Sequence, residues 1–362
     1  MDTAADTRMA LSGAHRPAMA LYRPFGAFRF GLALMVMLQH FQHLLAPSET
    51  AIFGCMGFGI MAVAVFFAVS GFVVAEANAV FYRGRPLAFM ANRLLRLAPP
   101  YYAALALSMM VQLVLWRSGR LALWDYPAAG APLTWYRVVG GLFGLLPALR
   151  ALMPADAFEF IPFAWTLRLE MAFYLAVALA LLAAARLGCR WVIPAAAAVA
   201  YLASVAVLVS GRHGILTTAP MFLTGLGIWL AGTGRGWACC VPLAVVLPAF
   251  WWGFVSLGQN PHPAHGAQFI VLAGLVALFA VLSVSPAPPS WRAIDRRLGD
   301  LSYPLYLNHY VVGIALTDLF AYRGVKLYVM GAVLSVALAA GMAGLVDRPL
   351  IAMRNRLRRQ AI

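Results

Sequence analysis

The stretch Arg29-Phe30-Gly31-Leu32-Ala33-Leu34-Met35-Val36-Met37-Leu38-Gln39-His40 sets two ionisable side chains into a nearly apolar run. Eleven steps along an α-helix make roughly three turns, so Arg29 and His40 share one face about 16 Å apart along the axis. One then sits at a membrane edge and the other deep inside. An ionisable group in hydrocarbon is costly and marks a functional site by default.

The composition supports a membrane setting. Of 362 residues, 63% are hydrophobic and 11% charged, and the mean hydropathy is +0.83. No ordinary soluble domain approaches this. Apolar runs long enough to span the bilayer, roughly 20 residues each, recur about ten times. They cover 29–46, 56–78, 97–116, 163–185, 191–210, 215–231, 238–257, 268–285, 303–321 and 326–346, the sixth being short and Gly-rich. The expected fold is an all-α polytopic bundle of about ten transmembrane helices embedded in the lipid bilayer. The stretch 138–149 reads as an interfacial or re-entrant helix.

A net charge of +15 would suggest nucleic acid in a soluble chain. Here most arginines fall in short connections between apolar runs, so the charge reads as membrane orientation and no nucleic-acid partner is expected. Their distribution places both termini in the cytoplasm. Residues 1–28, without a signal-type cleavage site, read as a cytoplasmic arm, 29–347 as the transmembrane domain, and 348–362 as a basic tail held on anionic lipid. Cys55, Cys189, Cys239 and Cys240 lack metal-ligand or disulfide spacing and read as packing residues. The expected loop 117–162 carries Trp124, Tyr126, Trp135, Tyr136, Asp125, Asp156 and Glu159, with Trp116 at its start. Rings beside carboxylates suit a sugar; the plainer reading is an interfacial aromatic belt.

Other polar groups recur at apolar segments. Val65-Phe66-Phe67-Ala68-Val69-Ser70-Gly71-Phe72 has a Ser-Gly pair typical of close helix packing. A cytoplasmic run, Phe89-Met90-Ala91-Asn92-Arg93-Leu94-Leu95-Arg96, sets two arginines three apart on one helical face, and a new span starts at Pro99-Pro100-Tyr101. Trp165-Thr166-Leu167-Arg168-Leu169-Glu170-Met171-Ala172-Phe173-Tyr174 sets charge at the outer edge of a span. Leu298-Gly299-Asp300-Leu301-Ser302-Tyr303-Pro304-Leu305-Tyr306-Leu307-Asn308-His309 brings a second histidine to a helix, and Asp347-Arg348-Pro349 closes the last span.

In this order, the blocks resemble the acyltransferase-3 family, integral membrane enzymes that O-acylate surface and secreted carbohydrates. The resemblance runs from Arg29 to about Arg356. Arg29 and His40 match the family's Arg, ten residues, His signature, and Phe66, Phe67, Ser70, Gly71 and Phe72 its second helix. Arg93 and Arg96 match its basic element, Trp165, Glu170, Phe173 and Tyr174 its Trp-Glu-Phe-Tyr element, and Ser302, Tyr303, Leu305, Tyr306, Leu307 and His309 its last. Ala64 replaces a frequent aspartate, Thr166 a serine and Asn308 a tryptophan, and Arg168 is an unusual charge beside the glutamate.

The resemblance implies transfer of a short acyl group, most often acetyl, from acetyl-CoA or another acyl-CoA to a carbohydrate hydroxyl in the bacterial inner membrane. Polysaccharide-synthesis machinery is then a possible partner, and no metal is implied. His40 is the candidate base or acyl carrier, because histidine's ordinary pKa suits proton transfer near neutrality. Glu170 would orient it or grip the acceptor. Arg29, Arg93 and Arg96 are candidates to hold the donor's phosphates. His43, Ser70, Trp165, Tyr174, Tyr306 and His309 are the supporting candidates. Two rival readings are a glycan or lipid transporter with Arg29, His40 and Glu170 as a relay, and a structural partner of a polysaccharide synthase.

Overall fold

A computed structural model describes residues 22–53, 57–82, 84–119, 134–146, 159–188, 219–232 and 264–359, with isolated helical positions at 195, 196, 199 and 202. The described residues form helices and connections, without a strand. In order, α1 is Phe25–His40, extended by a 3-10 turn over Phe41–Leu44; α2 is Pro47–Phe53; α3 Phe58–Val80; α4 Pro86–Arg117; α5 Trp135–Leu142; α6 Ala164–Leu187; α7 Ala219–Gly232; α8 Ala264–Val284; α9 Arg292–Leu319; and α10 Val325–Met342. A π-helical turn, Ala343–Asp347, joins α10 to α11, Arg348–Arg359.

Five helical stretches are long and apolar enough to cross a membrane: α3, α4, α6, Ala267–Val284 within α8, and the continuous run Val325–Arg358. Apolar side chains also point outward, among them Met110 and Val114 of α4, Leu179 of α6, Ile270 of α8 and Val333 of α10. A helix buried in hydrocarbon has no reason to hide such groups. The chain is therefore a multi-pass membrane protein. The expected spans 191–210 and 238–257 lie largely or wholly outside the described residues, as do the four cysteines and Trp124, Asp125, Tyr126 and Asp156.

Some boundaries differ from the sequence reading. The basic run Phe89–Arg96 is helical, as the spacing of its arginines suggests, but no new span starts at the prolines, because α4 continues through Pro99 and Pro100. Each proline removes one intrahelical N–H donor but tolerates helical φ, and the Tyr303 hydroxyl donates to the nearby Leu97 carbonyl at 2.9 Å. Likewise α9 begins eleven residues before the expected span, since Arg292–Leu301 is polar but helical. The short, Gly-rich sixth segment forms α7, 14 residues long.

The most extensive helix pairing joins α1 to α9. Links rise together in number, from Ala27–Asp295 through Arg29–Ser302 and His40–His309 to His43–Thr317, so the two helices run in the same direction. Gly26 and Gly299 let the backbones approach, and a Cβ on Gly26 would strike the Asp295 backbone oxygen. A second close crossing sets Gly71 of α3 against the Phe222 carbonyl and Gly225 of α7 against Ala68, the small-residue packing that membrane helices use. One apolar core gathers α3, α4, α6, α7 and α8; a second lies between α1, α9 and α10 around Met37, Phe41, Leu305 and Tyr328.

The start of α1 has no capping side chain of its own. Asp295 of α9 supplies the cap from outside: its Oδ1 accepts the Ala27 N–H at 2.7 Å and its Oδ2 the Gly26 N–H at 3.2 Å and the Tyr22 hydroxyl at 2.9 Å. The carboxylate thus meets unsatisfied donors and the positive end of the helix dipole. Asp295→Ala is expected to lower stability by about 1–2 kcal/mol. Thermal unfolding in detergent measures this; an unaltered midpoint would remove the cap from the account.

Candidate active site

Helices α1, α3, α4, α6 and α9 line a partly enclosed cavity with an interior volume of about 80 Å³. Arg29 enters it from α1, Ser70 from α3, Arg93 and Arg96 from α4, Glu170 and Tyr174 from α6, and Tyr306 from α9. Arg29 donates through Nη2 to Ser302 Oγ at 3.2 Å, and Ser302 donates in turn to the Gly299 carbonyl at 2.8 Å. Arg93 is buried, its guanidinium 5.3 Å from both the Phe89 and the Tyr174 ring centres. One oxygen of Glu170, Oε1, accepts both the Ser70 hydroxyl, at 2.9 Å, and the Tyr174 hydroxyl. Three guanidiniums therefore face one carboxylate, an electropositive excess suited to an anion.

A second cleft adjoins the cavity, sharing Arg29, Arg96 and Tyr303 and adding Asp300, Asp347 and Arg354. Beyond the opposite wall lies the histidine pair. His40 Nδ1 and His309 Nε2 are 2.8 Å apart, and His309 Nδ1 lies 3.1 Å from the Leu305 carbonyl oxygen. The hydrogen-bond chain assigns the tautomers. A carbonyl can only accept, so His309 donates from Nδ1 and, when neutral, keeps a lone pair on Nε2. His40 must then donate from Nδ1, which leaves its own Nε2 as a lone-pair base.

Phe163 stacks on both imidazoles, with centroids 5.1 Å from His40 and 4.5 Å from His309. The wall between the pair and the cavity is Phe163, Thr166 and Tyr306, with 2.8 Å between the Thr166 and Tyr306 hydroxyl oxygens. Neither Phe163 nor this pairing was a sequence candidate, since an aromatic in an apolar run looks like core.

The sequence candidates thus divide. Arg29, Ser70, Arg93, Arg96, Glu170, Tyr174 and Tyr306 line one cavity. His40 and His309 sit together beyond it, and Glu170 meets Ser70 and Tyr174 instead of His40. His43 donates from Nδ1 to the His40 carbonyl at 2.7 Å and turns its other nitrogen to Thr317, 3.0 Å away. Trp165 is exposed and does not line the cavity. The unusual Arg168 forms a two-pronged ion pair with Glu159 at 2.8 and 2.9 Å, fastening the preceding segment to α6. Among the described residues, no three His, Cys, Asp or Glu side chains group as metal ligands.

Residues 25–344 match a family model described as an acyltransferase domain, that of acyltransferase-3. The chain belongs to the acyltransferase-3 family. The acyltransferase is also 26% identical over 378 residues to nodulation protein 10 of Rhizobium leguminosarum bv. viciae, covering 92% of this chain and 94% of that relative. No solved structure matches it. The matched residues include all of α1, α3, α4, α6 and α9, and so every residue of the cavity and the histidine pair. The protein is an O-acyltransferase of the membrane.

The tautomer assignment is directly observable. Nitrogen NMR of the histidine-labelled acyltransferase in detergent should show His40 protonated at Nδ1, and His309→Phe should release it to a mixture of tautomers. A His40 protonated at Nε2 in the unaltered protein would contradict the assigned chain.

Proposed function

We propose that the enzyme moves an acyl group, most simply acetyl, from acyl-CoA to a hydroxyl of a surface or secreted carbohydrate. The observation that carries this reading is the oriented base: a histidine whose Nδ1–H is engaged by His309, with Nε2 left to accept a proton. Nε2 takes the hydroxyl proton as the oxygen attacks the thioester carbonyl; the tetrahedral intermediate then expels the thiolate, which recovers the proton from the imidazolium. The acyl ester and free coenzyme A are the products. His309 is a positioning residue in this scheme.

Arg29, Arg93 and Arg96 hold the donor's phosphates, which would balance the cavity's positive excess. Glu170, held by Ser70 and Tyr174, keeps these cations in place and leaves its second oxygen for a ligand hydroxyl. The thioester end reaches His40 by displacing the Tyr306–Thr166 contact. Exposed Trp116, Trp135 and Trp165 offer ring faces to a sugar.

In the topology we favour, about ten helices cross a bacterial cytoplasmic membrane, with the arm 1–28 and the tail 348–362 inside and 29–347 as the catalytic domain. The parallel pairing of α1 with α9 supports it, because α9 is the ninth expected span and an even number precedes it. Arg29 then faces the cytoplasm and His40 the outer half of the membrane.

Purified enzyme in nanodiscs, given acetyl-CoA and a soluble glycan acceptor, tests the reading through release of free coenzyme A thiol. His40→Ala should cut turnover by roughly 10²–10⁴-fold. Arg29→Ala should raise the KM for acetyl-CoA by about tenfold or more, as expected for a lost charge-assisted bond. Full turnover in His40→Ala would overturn the assignment.

A further inference from the structure

Helix α11 lies beyond the residues that match the family, and it carries five arginines, Arg348, Arg354, Arg356, Arg358 and Arg359. It is docked, not trailing: Asn92 of α4 donates its side-chain amide to the Arg354 carbonyl at 3.1 Å. Arg354 and Arg358 are four residues apart and share a helix face. From there an aromatic path leads to the donor cavity. The Arg358 guanidinium lies 5.7 Å from the Phe81 ring centre, Phe81 meets Tyr82, Tyr82 meets Phe89, and the Arg93 guanidinium lies over Phe89. Arg354 also lines the cleft that contains Arg29 and Arg96.

Along this path Arg93, Arg354 and Arg358 each hold a buried side-chain nitrogen with no hydrogen-bond partner, as does Arg85, whose backbone N–H bonds the Tyr82 carbonyl, and the buried Tyr82 hydroxyl has none either. Buried donors are ordinarily satisfied. Three guanidiniums on one path, with Glu170 in electrostatic reach of Arg93 and Asp347 of Arg354, describe a receptor for an anion with several acceptor oxygens. We propose that α11 and the first turns of α4 form a phosphate-ester site. Guanidinium forks match phosphate oxygens in pairs, which a chloride or a single carboxylate cannot exploit as fully. The phosphate can belong to the nucleotide end of the acyl donor, in which case the site rests on the donor reading above, or to an anionic lipid of the surrounding leaflet.

The experiment compares the full-length protein with Arg354→Gln/Arg358→Gln, and with Arg358→Gln alone should the double variant not remain monodisperse. In phosphatidylcholine nanodiscs, affinity is measured for coenzyme A and for 3′-dephospho-coenzyme A. Native mass spectrometry from mixed phosphatidylglycerol and phosphatidylcholine micelles reads retained lipid. A donor phosphate predicts that the unaltered protein prefers coenzyme A by about tenfold, a charge-assisted contact's worth, and that the variant does not discriminate. A lipid phosphate predicts equal affinity for both nucleotides, with phosphatidylglycerol retained by the unaltered protein and lost from the variant. If the unaltered protein binds neither nucleotide, the donor reading fails and lipid retention alone decides this site. Matching behaviour of unaltered and variant proteins in both measurements would overturn the proposal.

Discussion

Polar groups placed in hydrocarbon must find partners within the protein, and here α1 and α9 meet that constraint together. Asp295 satisfies the first N–H groups of α1, Ser302 accepts from Arg29, His309 accepts from His40, and Thr317 meets His43. Each link would be of little account in water. In a low-dielectric interior an unpaired member is expensive, so the set fixes how the two helices sit and which way each side chain points. The remaining helices pack around this pair: α3 with α7 and α8 on one side, α10 on another, and α4 and α6 across the cavity.

The same pairing separates two chemical environments along α1. At Arg29 the helix borders a cavity of guanidiniums; at His40 it meets an imidazole pair stacked on Phe163. The proposed reaction, with a phosphorylated donor and a neutral hydroxyl as acceptor, would use both kinds of surroundings, one to hold charge and one to handle a proton. The thin wall of Phe163, Thr166 and Tyr306 is where they touch.

Much of this was legible in the sequence because helix period is local. The spacing of Arg29 and His40 puts both on one face, and the expected span 56–78 lies within two residues of Phe58–Val80 at each end. Seven residues of the ordered blocks, Arg29, Ser70, Arg93, Arg96, Glu170, Tyr174 and Tyr306, line one cavity. What was not legible is long-range or tertiary. His309 is 269 positions from His40, and no periodicity announces their bond. The sequence leaves Glu170 either to orient His40 or to grip an acceptor, and does not show that its hydrogen-bond partners are Ser70 and Tyr174. Pro99 and Pro100 signal a helix start locally, but the bundle carries α4 through them and so brings Arg93 and Arg96 onto one rigid element with the cavity. The tail's arginines read as a surface anchor, whereas α11 sets Arg358 over the Phe81 ring and Arg354 in the cleft that holds Asp347.

The central claim is that this fold places an O-acyl mark on carbohydrate. Mass spectrometry of the host's surface and secreted glycans tests it, with the protein intact, deleted, or carrying His40→Ala at normal membrane abundance. The account predicts that one O-acyl substituent disappears in both altered strains while the underlying sugar chain persists. An unchanged O-acyl pattern in both would contradict it.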